Sequence, residues 1–158
     1  MNDTWDAFLG MLTDECALFN ALNERAIGLS SALVENVPEK IHAAQAQVEA
    51  ARKALGIAKS RRRAMQQRGF GNMPLANVCR YAPRGVGSQI KLRSKELTYH
   101  TTALELINSN NRALILGSME RLMGVLNVMR RAQAQPLTYK RRGIMPLPER
   151  SMLMSHDA

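Results

Sequence analysis

The stretch WDAFLGMLTDECALFNALNERAIGLSSAL, residues 5–33, decides the fold. Within it Trp5, Phe8, Leu12, Cys16, Phe19, Leu22, Ala26, Leu29 and Leu33 recur in steps of three and four, the spacing of one face of an amphipathic helix. Asn2 or Asp3 is placed to cap its start. The pattern breaks at Glu35-Asn36-Val37-Pro38-Glu39, where Pro38 suits the first turn of a second helix and Asn36 with Glu39 has capping-box spacing. The sequence leaves open whether this break is a turn or a kink. Beyond it Ile41, Ala44, Val48, Ala51, Leu55, Ala58, Arg62 and Met65 form a second, heptad-like stripe whose small residues admit a close neighbour.

The cluster Gly69-Phe70-Gly71-Asn72-Met73-Pro74 ends that helix. Leu75 to Tyr81 is expected to make one or two helical turns, closed by Pro83 and Gly85-Val86-Gly87. Ser88 is a cap for a third long helix to about residue 132, with the seam Leu97, Thr101, Leu104, Asn108, Asn111, Ile115, Met119, Leu122, Leu126 and Met129. The fold expected is all-α: long antiparallel amphipathic helices in a coiled-coil-like three-helix bundle over residues 1–133, with a short helix in the linker. Residues 134–158, with three prolines and few periodic signals, are expected to be a mobile tail.

Composition agrees with this fold class. Of 158 residues 46% are hydrophobic but only 4% aromatic, so Ala, Leu and Met carry the apolar content, which favours helices over a β-sandwich. The two cysteines, Cys16 and Cys79, have no metal-ligand spacing, and reduced core or half-exposed thiols are expected. No basic leader with an apolar run and no apolar stretch of about 18–20 residues occurs, so a cytoplasmic protein without an integral membrane segment is expected. The net charge is +9, unevenly spread: residues 1–36 carry −5 and residues 37–68 carry +6. An acidic helix beside a basic one partly cancels both fields.

Catalytic chemistry has no candidate. His42, His100 and His156 are scattered away from other ligands, and Ser155-His156-Asp157 are adjacent residues that cannot converge as a triad does. The carboxylates of the first helix read as its solvated face. Neither Gly69-Phe70-Gly71 nor Gly85-Val86-Gly87 has the context of a dinucleotide loop, although Gly85–Ser88 ahead of a helix has a weak capacity for an anion. No enzyme activity, cofactor or metal is expected. The basic runs Lys59-Ser60-Arg61-Arg62-Arg63 and Lys140-Arg141-Arg142 can bind phosphates, but no aromatic residues interleave with them. A nucleic-acid-binding or scaffold protein is therefore the alternative, not the first reading.

The feature that asks for a partner is the end of the third helix. At about 100° per residue, Met119, Leu122, Leu126 and Met129 fall within about 40° of Ile115, with Leu114 and Val125 on one flank and Leu116 and Met123 on the other. Adding Val128, the apolar arc spans about 240°, whereas packing on one core face needs about 100°. A helix held between two others, self-association, and a groove for a helix from another chain all fit such an arc. Its methionines suit a groove that accepts more than one ligand. Asn108 and Asn111 are read as a structural polar seam, pinning register within the bundle.

The run Leu104-Glu105-Leu106-Ile107-Asn108-Ser109-Asn110-Asn111-Arg112-Ala113-Leu114-Ile115-Leu116, then Glu120-Arg121, the apolar stretch to Met129, and Gln135-Pro136-Leu137-Thr138-Tyr139 with Gly143, resembles flagellar export chaperones of the FlgN type. The chain departs from the family in its basic charge and in the Lys140-Arg141-Arg142 that follows the tyrosine. The resemblance implies a type III secretion chaperone for flagellum biogenesis, binding the C-terminal helices of hook-associated (hook–filament junction) proteins. It further implies that premature assembly is prevented and that Tyr139 docks on the cytoplasmic domain of the membrane export gate. The cargo surface expected from patterning is Leu114, Ile115, Leu116, Met119, Leu122, Met123, Leu126 and Met129.

Overall fold

Four helices carry the chain: α1 (Asn2–Glu35), α2 (Pro38–Phe70), α3 (Leu75–Tyr81) and α4 (Arg84–Ala134). The computed structural model describes residues 2–71 and 73–134. The tail expected over 134–158, with Tyr139, lies from residue 135 onward outside the described residues. The chain divides into two units, Met1–Ile115 and Leu116–Ala158.

In the first unit α1 is the central element. Trp5, Phe8, Leu12, Cys16, Phe19, Leu22 and Ala26 are buried as their spacing predicts, while Leu29 and Leu33 are half-buried. Contacts fix the directions of its neighbours. Trp5 stacks on Phe70 (centroids 4.5 Å apart), Glu15 pairs with Arg62, and Arg25 donates to Gln47, so α2 runs antiparallel to α1. Cys16 meets Arg93, Asn23 meets His100 and Ser30 meets Asn111, so α4 runs parallel to α1. The result is the all-α bundle expected, with α3 as the short linker helix.

The break between α1 and α2 is a turn. Asn36 adopts φ +55°, the left-handed region that Asn tolerates better than most residues, and its N–H closes α1 on the Ala32 carbonyl at 3.0 Å. Val37, extended at φ −102°, is the N-cap of α2, and no side chain caps it. The capping box expected from Asn36 and Glu39 is therefore not formed, because Asn36 is used to end the preceding helix. Gly71, at φ +66°, ends α2 with its N–H on the Gln67 carbonyl.

Two expectations about α4 are corrected. The helix starts at Arg84, not Ser88, and the Gly87 N–H already donates to the Pro83 carbonyl at 2.8 Å. Gly85–Ser88 thus lie inside the helix and not ahead of it. Along the first unit the seam also differs at alternate positions. Ile90, Leu97 and Asn111 are buried with His100, Leu104, Ile107 and Leu114 half-buried, whereas Thr101, Asn108 and Ile115 are exposed. The spacing of three and four was right, but its phase places His100 and Ile107 inward.

Gly87 permits the corner between α3 and α4. A Cβ there would stand 2.6 Å from the Cys79 carbonyl oxygen, a backbone atom that cannot rotate away. Alanine would gain about 1 kcal/mol in helix propensity, but overpacking against backbone costs about 1–3 kcal/mol. Gly87→Ala is therefore expected to lower the urea midpoint. An unchanged or raised midpoint would show that the corner is loose.

Burial also settles the cysteines. Cys16 is buried and Cys79 half-buried, both free thiols. Burial, reinforced by Glu96, pushes the Cys16 thiol up to about 11, and its Sγ donates to the Arg93 carbonyl at 3.6 Å. A neutral, enclosed thiol is a packing group and a poor nucleophile.

Candidate functional site

The surface that asks for a partner is the C-terminal stretch of α4. Leu114 is half-buried, and from Ile115 (43% exposed) onward every large apolar side chain is exposed: Leu116, Met119, Leu122, Met123, Val125, Leu126, Val128 and Met129. The exposure runs from 43% to 67% and does not fall on any side of the helix. Sandwiching between two other helices, one reading of the wide arc, is thus not found among the described residues. Val125 and Val128 belong to this surface with the residues singled out by pattern. The signal for them was the width of the arc.

The register within the first unit explains where burial stops. Ser30 of α1 donates to Asn111 of α4 at 2.6 Å across a sequence offset of 81 residues. At the same offset Val34 comes level with Ile115, and α1 ends one residue later at Glu35. Asn111 is the last strong tie. It is 5% exposed, its Nδ2 donates to the Ala26 carbonyl at 3.1 Å, and its Oδ1 accepts from Ser30. Asn108 is exposed.

The stretch 116–134 is moderately basic, with Glu120 against Arg121, Arg130 and Arg131. Gly117 and Gly124 sit about 180° from the Ile115–Leu122 line, with nothing within 4 Å of an added Cβ. No close approach requires them. Each weakens an exposed helix by about 1 kcal/mol relative to Ala.

The basic run on α2 is partly engaged inside the bundle. Arg62 is only 11% exposed and its Nε donates to Glu15, itself 2% exposed. Lys59 lies 4.3 Å over the Phe19 ring. Glu15 is accordingly not part of a solvated acidic face, which corrects the expectation for the first helix. The clue was Arg62 itself, a charge standing in the apolar stripe of α2.

Among the described residues no group of three or more His, Cys, Asp or Glu comes together to hold a metal ion, and no helix is long and apolar enough to cross a membrane. Comparison with curated proteins and with solved structures gave no match. The family model described as FlgN protein matches residues 1–146, which includes all four helices and the Tyr139 segment. With most of its length matched, the chain belongs to the FlgN family of flagellar export chaperones.

Proposed function

We propose that this chaperone binds the C-terminal helices of hook–filament junction proteins on the apolar surface of residues 114–129. The observation that carries the reading is the uninterrupted exposure of large apolar side chains from Ile115 to Met129. Monomeric proteins rarely leave so large an apolar patch uncovered unless a partner fits it. An amphipathic cargo helix laid along Ile115, Met119, Leu122, Leu126 and Met129 has its own sticky face covered, and so cannot assemble early. Tyr139 then serves delivery by docking on the cytoplasmic domain of the export gate.

Calorimetric titration with C-terminal segments of the junction proteins of the same organism, at low and high salt, tests this. Expected are saturable binding near one to one, a negative heat-capacity change and little salt dependence. Binding of nucleic acid with a steep loss of affinity as salt rises, and none to either cargo segment, would favour the basic-scaffold alternative. Tyr139→Ala is expected to keep cargo binding and to weaken gate docking. Unchanged binding to the gate domain would remove Tyr139 from that role.

A further inference from the structure

Beyond Ile115 the apolar side chains of α4 fall into a coiled-coil seam. Met119, Leu122, Leu126 and Met129 follow one another at steps of three, four and three, the spacing of the two inward positions of a two-stranded coiled coil. Leu116 and Met123 border this seam on one side and Val125 on the other, where a partner helix covers them too. Gly117, Gly124 and Arg131 share the opposite face, out of a partner's reach. All seven seam and border side chains are between 49% and 60% exposed.

We propose that two copies of this chain pair through this seam, with their α4 helices antiparallel. Area supports a second copy. Each half-exposed side chain leaves roughly 100 Å² in water, so a pair covers up to about 1,400 Å², against the roughly 1,000 Å² that a specific interface needs. Charge selects the orientation. Parallel helices would set Arg130 and Arg131 beside the same two residues of the other copy, and like charges would repel. Antiparallel helices place Leu122 of each copy level with Leu126 of the other, and Met119 level with Met129. In that register Met123 faces its own counterpart across the two-fold axis, and Arg130 lies within one helical turn of the other copy's Glu120. Gly117 and Gly124 weaken the helix that must be ordered, so the pair is weak, with a dissociation constant on the order of 10–100 µM. At a few micromolar the chain is therefore largely monomeric. Cargo and a second copy compete for the seam, yet the pairing does not rest on the export reading.

Sedimentation equilibrium of the full chain, with reductant present and from about 5 to 500 µM, tests it. A reversible monomer–dimer equilibrium is expected. Leu122→Ser with Leu126→Ser is expected to weaken it at least about tenfold, while circular dichroism reports that the bundle stays folded. Glu120→Arg and Arg130→Glu are each expected to weaken pairing about fivefold, and the two together to restore it, because the antiparallel pairs are then re-formed with their signs exchanged. A chain that stays monomeric at 500 µM would overturn the proposal, whatever else covers the seam. So would a dimer that the serine substitutions leave intact, and failure of the charge exchange to restore pairing would overturn the antiparallel register. Titration with the junction-protein segments separates the two readings. A monomeric chain that binds cargo loses only the dimer, whereas a dimer that binds no cargo leaves the pairing standing and removes the export reading.

Discussion

Replacing Leu122 and Leu126 together by serine is expected to weaken cargo binding by about a hundredfold, with the thermal unfolding of the bundle unchanged. The two side chains are 60% and 50% exposed, so the chain alone has little burial to lose there. Under a ligand helix each would be covered, and the covered part of a leucine contributes about 1.5 kcal/mol. Two such losses total about 3 kcal/mol, or about two decades of affinity. Surface substitutions of this kind change stability by about 0.5 kcal/mol or less. The net charge is unaltered, so an electrostatic ligand would not register the change. Titration and a circular-dichroism melt on the same sample check both halves. Binding retained within about threefold would place the cargo elsewhere.

A hundredfold effect at side chains this exposed in the free chain would mark a surface kept for a partner. The helix beneath it is itself weak. A segment without a packed face depends on its own hydrogen bonds, and Gly117 and Gly124 lower its propensity further. Part of the energy of a ligand bound there would go into firming up the helix. Such a surface can adjust to more than one cargo, and its methionines help.

The sequence revealed the fold where one periodicity dominated. The α1 stripe from Trp5 to Ala26 is buried as spaced, because seven large or small apolar residues at steps of three and four leave one solution. Along α4 the signal was divided. Thr101 and Asn108 compete with His100 and Ile107 for the inward position, and periodicity alone cannot rank a polar residue on one stripe against a histidine on the next. Tertiary contact ranks them: Asn23 of α1 donates to the His100 carbonyl at 3.2 Å, which turns that side inward. Phe70 was read only as part of a helix-ending cluster, yet it closes the base of the bundle against Trp5 and Phe8. Its role depends on a partner 65 positions away in the chain, a distance no local window spans. The exposed surface of α4 was legible as excess apolar width. How exposed each of these side chains is, from 43% at Ile115 to 67% at Val128, no periodicity could give.

The largest stability effect is expected from breaking the Glu15–Arg62 pair. Glu15→Leu leaves the guanidinium of Arg62, 11% exposed, without its counter-charge, and loss of one partner of a buried pair costs about 3–5 kcal/mol. Arg62→Met strands the Glu15 carboxylate in the same way. The double substitution replaces both charges by apolar groups of similar length and is expected to recover to within about 1 kcal/mol of the unaltered chain. Urea unfolding of the four proteins closes the cycle, and additive losses would show that the two side chains do not depend on each other. If an apolar pair serves stability as well, the ion pair must contribute something else. The inward stripe of α2 repeats with period seven, Ala44, Ala51 and Ala58 alternating with Val48, Leu55 and Arg62. Sliding α2 by one heptad therefore exchanges like for like at the 48, 51, 55 and 58 sites, but sets Leu55 against Glu15, Ala58 in the place of Met65, and Arg63 in the place of Phe70 against Trp5 and Phe8. A buried carboxylate against leucine is unpaired, so the slipped bundle is penalised and the true register is not. Lys59 over Phe19 and the Arg62 bond to Gln66, which in turn holds the Met73 carbonyl, fasten the same end. The double variant loses the Glu15 penalty, but Arg63 against Trp5 and Phe8 still opposes the slip, so one helix register is expected, seen as a single set of amide resonances from α2.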